Sequence, residues 1–329
     1  MPVMFMKSFK RGASRLGLQS RSWLTMAALA GLTACGGGTQ QIEPFAPTRI
    51  IALGDEASAI TSDGKKYTVN ALDATTGLGL CASNPLWIQS LATTFGLVFP
   101  QCNPSNIATT QGLMYATAGA KVADLAQMID KHFATDTFGP KDLVTILMGS
   151  NDVFELFAQF PIQSRDTVLA EASARGKTLG QQINRIAKAN GRVIVSTLPD
   201  LGLTPLAQSK RPNESDSARS DRINLLSNLS NEFNVAMRIE IINDGRLIGL
   251  VLADETTQAI AKFPSAFGYA NVVDSVCLTT VAVQDCTSKT LVTAGSGDTW
   301  LWATDRLLSP AGQQRLGLLA VTRARNNPF

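Results

Sequence analysis

The sequence predicts an α/β fold, in which a doubly wound parallel sheet is covered by helices on both faces to give one three-layer α/β/α, flavodoxin-like domain. Three observations carry this expectation. From Gly112 onward, short apolar runs alternate with amphipathic segments over short connections, as parallel strands and their right-handed crossover helices do. The run Ile50 to Leu53 stops abruptly at Gly54-Asp55, as a buried strand does when a sharp turn hands the chain to a helix. No internal repeat or second core pattern interrupts the chain.

Taken in order, Arg49 to Ser58 (RIIALGDEAS) opens the domain, and the tip of such a strand is where ligands and chemistry collect in open α/β sheets. Residues 59–113 show little periodicity and are punctuated by Gly64, Gly77, Gly79, Pro85, Pro100 and Pro104. Only Leu86 to Phe95, with Trp87, Leu91 and Phe95 four apart, predicts a helix there. Long excursions of this kind usually shape a ligand site. MYATAGA (114–120) reads as a strand and turn, followed by a helix at Val122 to Phe133 with Val122, Leu125, Met128 and Ile129 on one face. DLVTILMGSND (142–152) is a buried strand and turn. A helix is expected at 178–190, stopped by Gly191, then the strand and turn RVIVSTLPDLG (192–202). A longer helix at 222–242 and a strand at 247–253 follow. The last helix starts at Pro310, with Ser309 as N-cap.

The N-terminus carries Lys7, Lys10, Arg11, Arg15 and Arg21 ahead of the apolar run Leu24 to Leu32, too short to span a bilayer and laid out as a secretory signal. Leu32-Thr33-Ala34-Cys35 followed by Gly36-Gly37-Gly38 resembles the bacterial lipobox, in which the cysteine is lipidated; the alternative is a plain signal peptide with an incidental cysteine. The expected organisation is a signal at 1–34, a lipidated Cys35 and flexible tether at 35–48, and the domain at 49–329. Loss of residues 1–34 removes five positive and no negative charges, taking the formal charge from +3 to −2 and leaving no electrostatic footprint for nucleic acid. Cys81, Cys102, Cys277 and Cys286 then form an even set in an exported chain. Disulfides between the local pairs Cys81–Cys102 and Cys277–Cys286 are favoured, each contributing roughly 3 kcal/mol, over a zinc site whose spacings and histidines are missing.

The stretch at Gly54-Asp55 resembles the first block of the SGNH (GDSL) hydrolases, where a strand ends in Gly-Asp-Ser with that serine as nucleophile. Here the third residue is Glu56. MYATAGA falls where the family's second block supplies an oxyanion-hole N–H, making Ala116 to Gly119 the corresponding turn, and MGSND is similar to the third block, with Asn151 as the oxyanion donor. VIVSTLPDLGLTP and FGYANVVDSVC are similar to later segments, so the resemblance runs from about 49 to 322. The last block would bring the triad's aspartate and histidine just before the final helix. One register puts Thr304 and Leu307 in those slots, and the other puts Asp305 and Leu308 there.

Neither register offers an imidazole, and the one histidine, His132, is expected on the surface toward the opposite edge of the sheet. A serine hydroxyl needs a base to attack, and losing one member of such a unit costs on the order of 10⁶ in rate. The resemblance therefore implies an ester-hydrolase scaffold, catalytically impaired, with a ligand- or partner-binding role. The alternative is an active esterase, lipase or deacetylase that uses a non-standard nucleophile such as Ser58 or Glu56, or a cation held by Glu56, Asp55 and Asn151. No cofactor is expected. The ligand would be an acyl ester or a carbohydrate; Trp300, Trp302, Phe267 and Tyr269 fall near its expected cleft, where they either stack on it or, as alternating aromatics before a turn more often do, pack core and rim. A protein partner is left open. Gly36 after Cys35 is similar to lipoproteins sorted to the outer membrane, so the expected location is the bacterial envelope, lipid-anchored at its outer membrane.

Overall fold

A computed structural model describes residues 44–209 and 217–329, with only the backbone described for 217–223. The signal segment, Cys35 and the tether as far as residue 43 lie outside the described residues. Five parallel strands form the central sheet: β1 (Arg49–Gly54), β2 (Gly112–Met114), β3 (Asp142–Leu147), β4 (Arg192–Ser196) and β5 (Ile248–Val251), in the order β2-β1-β3-β4-β5. Order reverses beside β1, which makes its C-terminal end the switch point of a doubly wound sheet. All six residues of β3 and five of the six in β1 are buried, which explains why these strands read as continuous apolar runs instead of alternating ones.

Helices cover both faces. On one lie α2 (Val122–Phe133), α3 (Ser150–Gln159), α4 (Arg165–Lys188) and α6 (Ser217–Glu240); on the other α1 (Trp87–Thr94) packs on α8 (Pro310–Asn326), which runs against β4 and β5. The short α5 (Pro205–Ser209) and α7 (Ala253–Lys262) complete the set, and a two-stranded parallel pair, β6 (Asn271–Ser275) and β7 (Trp300–Trp302), stands apart from the main sheet. Helices α4 and α6 approach closely because α4 carries Gly176 and Gly180: a Cβ at Gly176 would stand 2.1 Å from the Phe233 carbonyl oxygen.

Several elements differ from their sequence expectation. Helix α4 begins at Arg165, capped by Ser164 accepting from the Thr167 N–H, because a polar first half packs through alanine and glycine and shows no apolar stripe. Helices α3 and α7 were not expected. Ala253, placed in a strand by its sequence, is the first residue of α7. No helix follows the Gly54-Asp55 turn: residues 56–58 form a single turn before the long excursion begins. Residues 44–48 are seated on the domain, with Phe45 against the rings of Phe95 and Phe329 at 6.2 and 4.9 Å.

The irregular stretch 59–113 is held by specific bonds. Cys81–Cys102 and Cys277–Cys286 are the two disulfides, paired locally as expected. Asn70 N–H donates to the Cys286 carbonyl at 2.8 Å, tying the two disulfide-bearing segments together. Lys66 is wholly buried, and its ammonium donates to the backbone carbonyls of Cys81 (3.0 Å), Ser83 and Asn84 (2.8 Å), one acceptor for each N–H. Burial pushes its pKa down to about 8.

His132 is buried, which corrects its expected surface position. The ring sits 4.3 Å from that of Phe138, and Nδ1 lies 3.2 Å from the Tyr115 hydroxyl. Burial first, and then the neighbouring Arg49 charge, hold its pKa below the ordinary value.

Two outcomes are expected. Lys66→Met strips the Ser83 and Asn84 carbonyls of their donor and leaves the Cys81 carbonyl with Gln89 Nε2 alone; since each unsatisfied group costs on the order of 1–3 kcal/mol, the urea unfolding midpoint should fall, and an unchanged midpoint would contradict the cage. For His132, the unfolded chain binds the proton more readily than the folded one. The stability due to the neutral ring is therefore complete above the ordinary value of 6.5 and is lost as pH falls through the lower folded-state value. The midpoint of the native chain relative to His132→Phe should drop on acidification from about pH 7 to about pH 5, and a constant difference would refute this.

Candidate active site at the tip of the first strand

The site starts from a steric constraint. Gly54 ends β1 at φ +142°, where a Cβ would stand 2.3 Å from the Leu147 carbonyl oxygen, so only glycine lets the turn press against the end of β3. Asp55 follows, buried, with Oδ1 accepting from the Ala57 N–H at 3.0 Å and Oδ2 without a partner among the described residues. Burial, then the adjacent Glu56 charge, push its pKa well above the ordinary carboxylate value.

Glu56 is half-buried, and its Oε2 accepts two hydrogen bonds, from the Gly119 N–H at 2.8 Å and from Asn151 Nδ2 at 3.0 Å. These donors come from the two turns that the resemblance matched to oxyanion-hole blocks. Gly119 sits at φ +78° in the loop after β2. Ala116 does not point its N–H at the site, because that group donates to the Ala52 carbonyl at 3.0 Å and extends the strand pairing. Asn151 is the second residue of α3, whose N-cap Gly149 has φ +118° and leaves no room for a Cβ beside the Phe233 ring. Nδ2 of Asn151 also donates to the Ala120 carbonyl at 3.1 Å, which fixes the orientation of the amide.

Asp152 braces this corner, a role that the reading of the GSND turn did not assign to it. Its Oδ2 accepts from the Val122 N–H at 2.9 Å, and its Oδ1 lies 3.2 Å from Arg175, so α2, α3 and α4 meet at one carboxylate. Arg175 also pairs with Glu155, which pairs with Lys121. A carboxylate beside the asparagine was the only sequence signal, and Arg175 gave none.

Facing Glu56 is a cleft of about 400 Å³ whose lining includes Thr304, Asp305, Arg306 and Leu307. These four make a tight turn, with the Ala303 N–H donating to the Leu307 carbonyl at 2.7 Å and Thr304 Oγ1 accepting from the Leu307 N–H at 3.1 Å. Leu308 is buried and points into the core instead. His132 belongs to the other end of the sheet: it neighbours Arg49, the first residue of β1, and a six-residue strand separates its ends by about 17 Å.

Two alternatives weighed from the sequence are not met here, and the aromatics take the packing role that the sequence favoured for them. Ser58 is buried and its Oγ accepts from Trp87 Nε1 at 3.0 Å, which removes it from the cleft. The proposed cation cluster is not assembled, because Asn151 presents N–H groups to Glu56 and Asp55 is turned inward, and no group of three metal-ligating side chains occurs among the described residues. The aromatics are structural: Trp302 Nε1 donates to the Val272 carbonyl at 3.0 Å, the Tyr269 hydroxyl donates to the Ala311 carbonyl at 3.1 Å, Trp300 packs on the small cluster around Cys277 and Cys286, and Phe267 lies under Arg315. None of the four lines the Glu56 cleft.

The profile of the GDSL-like Lipase/Acylhydrolase family matches residues 50–245. No curated protein matches the sequence. Among solved structures, an extracellular lipase from Streptomyces rimosus is similar at 17% identity, covering 85% of this chain and 100% of that one with a TM-score of 0.44. A member of the lipolytic protein G-D-S-L family from Veillonella parvula is similar at 12% identity, 83% and 96% coverage and a TM-score of 0.40. An acetylxylan esterase from Geobacillus stearothermophilus is similar at 14% identity, 86% and 96% coverage and a TM-score of 0.39. With more than half of its length matched by the family profile and a parallel five-stranded α/β/α architecture, the chain belongs to the GDSL-like lipase/acylhydrolase family.

Proposed function

We propose that this protein is a catalytically silent member of its family, an envelope lipoprotein that uses the cleft facing Glu56 to bind a ligand or partner without ester turnover. The observation that supports it most is the double hydrogen bond from Gly119 and Asn151 to the Glu56 carboxylate. An oxyanion hole accelerates acyl transfer because its donors wait for charge that develops only in the transition state. Here the Glu56 carboxylate holds both donors, so an ester oxygen reaching for them would find them already taken. The nucleophile slot and the base slot are also empty of chemistry: Glu56 replaces the serine and Leu307 lines the cleft where the imidazole would stand.

Hydrolysis through Glu56 itself fits less well. Its Oε2 is engaged by two donors, Asp55 is buried away from solvent, and Asp305, the other carboxylate in the lining, is paired with Arg306, so no free acid and base pair faces the cleft. Anchoring through a lipidated Cys35 and residence at the outer membrane rest on Leu32-Thr33-Ala34-Cys35-Gly36 and the preceding basic and apolar segments.

The purified chain is expected to turn over p-nitrophenyl acetate no faster than its Glu56→Ala variant, with or without divalent metal, and to resist labelling by a fluorophosphonate serine probe. Turnover above that variant, or labelling lost on Ser58→Ala, would overturn the proposal.

A further inference from the structure

Glu56 does more than fill the hole, because it reverses the hydrogen-bonding character of the cleft. A site built to receive an ester presents donors to a carbonyl oxygen. In this chain the donors are consumed by Oε2, while Oε1 accepts no hydrogen bond from a described residue and belongs to a residue that lines the 400 Å³ cleft. Glu56 therefore offers the cleft an anionic acceptor.

The surroundings narrow the ligand further. Arg306, the one cationic side chain in the lining, is engaged elsewhere: its Nε lies 3.5 Å from Asp305 and its guanidinium stacks 4.7 Å from the Phe154 ring. The charge of Glu56 therefore has no side-chain counterion in the cleft. Leu278, Val281 and Leu307 supply apolar wall, and the hydroxyls of Ser275 and Thr279 supply further acceptors. A sugar would want an aromatic platform, and the nearby tryptophans and tyrosine are committed to packing outside the cleft lining. An ester or carboxylate ligand would bring lone pairs against a carboxylate.

We propose that the cleft binds a primary alkylammonium group, its N–H donors directed at Glu56 Oε1 and its alkyl chain laid along Leu278, Val281 and Leu307. This rests on the non-hydrolytic reading above. The same chemistry is presented by a small free amine and by a lysine side chain of a partner polypeptide, and the two are separated by the probes chosen.

Calorimetric titration of the purified chain with n-hexylamine, with the blocked peptide acetyl-Ala-Lys-Ala-amide, with hexyltrimethylammonium and with hexyl acetate tests it. One or both primary amines are expected to bind. The trimethylated analogue, which has no N–H to donate, should bind at least about tenfold more weakly, a difference of about 1.4 kcal/mol. Stronger binding of hexylamine marks a free amine as the source, and stronger binding of the peptide marks a lysine. Glu56→Gln should weaken amine binding by at least about tenfold. Val281→Trp, which fills the cleft and leaves Glu56 intact, should abolish it. Absence of amine binding, equal binding of the trimethylated analogue, or binding unaffected by both substitutions overturns the inference, as does tighter binding of hexyl acetate. Measuring p-nitrophenyl acetate turnover on the same preparation keeps the two claims apart: silence toward both amine and ester sinks the ligand assignment alone, whereas turnover sinks the non-hydrolytic reading.

Discussion

The contact on which the functional account depends is the pair of hydrogen bonds that Gly119 and Asn151 give to one oxygen of Glu56. Each participant comes from a different strand end, Glu56 after β1, Gly119 after β2 and Asn151 after β3, so the contact exists only because these three strands are neighbours in the order β2-β1-β3. Charge-assisted hydrogen bonds of this kind are about twice as strong as neutral ones. They are made here by groups whose backbone is already fixed, which limits the entropy lost in forming them.

Rigidity is supplied from behind. The turn after β1 is pressed on β3 through Gly54, and the turn after β3 is pressed on Phe233 of α6 through Gly149, two places where any side chain would collide with its neighbour. Asp152 then joins α2, α3 and α4 through the Val122 N–H and Arg175. Its desolvation raises its pKa, while the Val122 N–H and the Arg175 charge work in the opposite direction. The opposite wall of the cleft includes the loop closed by Cys277–Cys286, which the Asn70 N–H ties to the stretch that carries the other disulfide and the Lys66 cage. The pocket is thus framed by a stiff sheet edge on one side and by cross-linked, irregular chain on the other.

What the sequence disclosed and what it hid have physical explanations. β1, β3 and β4 were legible because strands buried on both faces are apolar throughout, and α8 because Ser309 and Pro310 announce its start. The disulfide pairing was legible because each pair falls within one irregular stretch. The first half of α4 was hidden because, apart from Val168, it packs through the small residues Ala172 and Gly176, which leave no hydrophobic stripe. His132 sits between Lys131 and Phe133 in a helix whose C-terminal turn is half polar, so nothing in the pattern marked it as buried. Lys66 was invisible for the same reason, since lysine is almost never fully buried and its three acceptors are backbone carbonyls that sequence does not display. The substitution at Glu56 was legible, but that its carboxylate would be received by the donors of its own site was not. That depends on a side chain one methylene longer than aspartate reaching across two loops.

The central claim is therefore local, and one measurement addresses it directly. In ¹H–¹⁵N spectra of the native chain, an amide bonded to a carboxylate resonates at lower field than one exposed to water. The Gly119 backbone N–H and the Asn151 side-chain amide are both expected to shift upfield together in Glu56→Ala, with the remaining amides of β1 and β3 unmoved. Gly119 and Asn151 resonances that stay where they are on removal of the carboxylate would contradict the account.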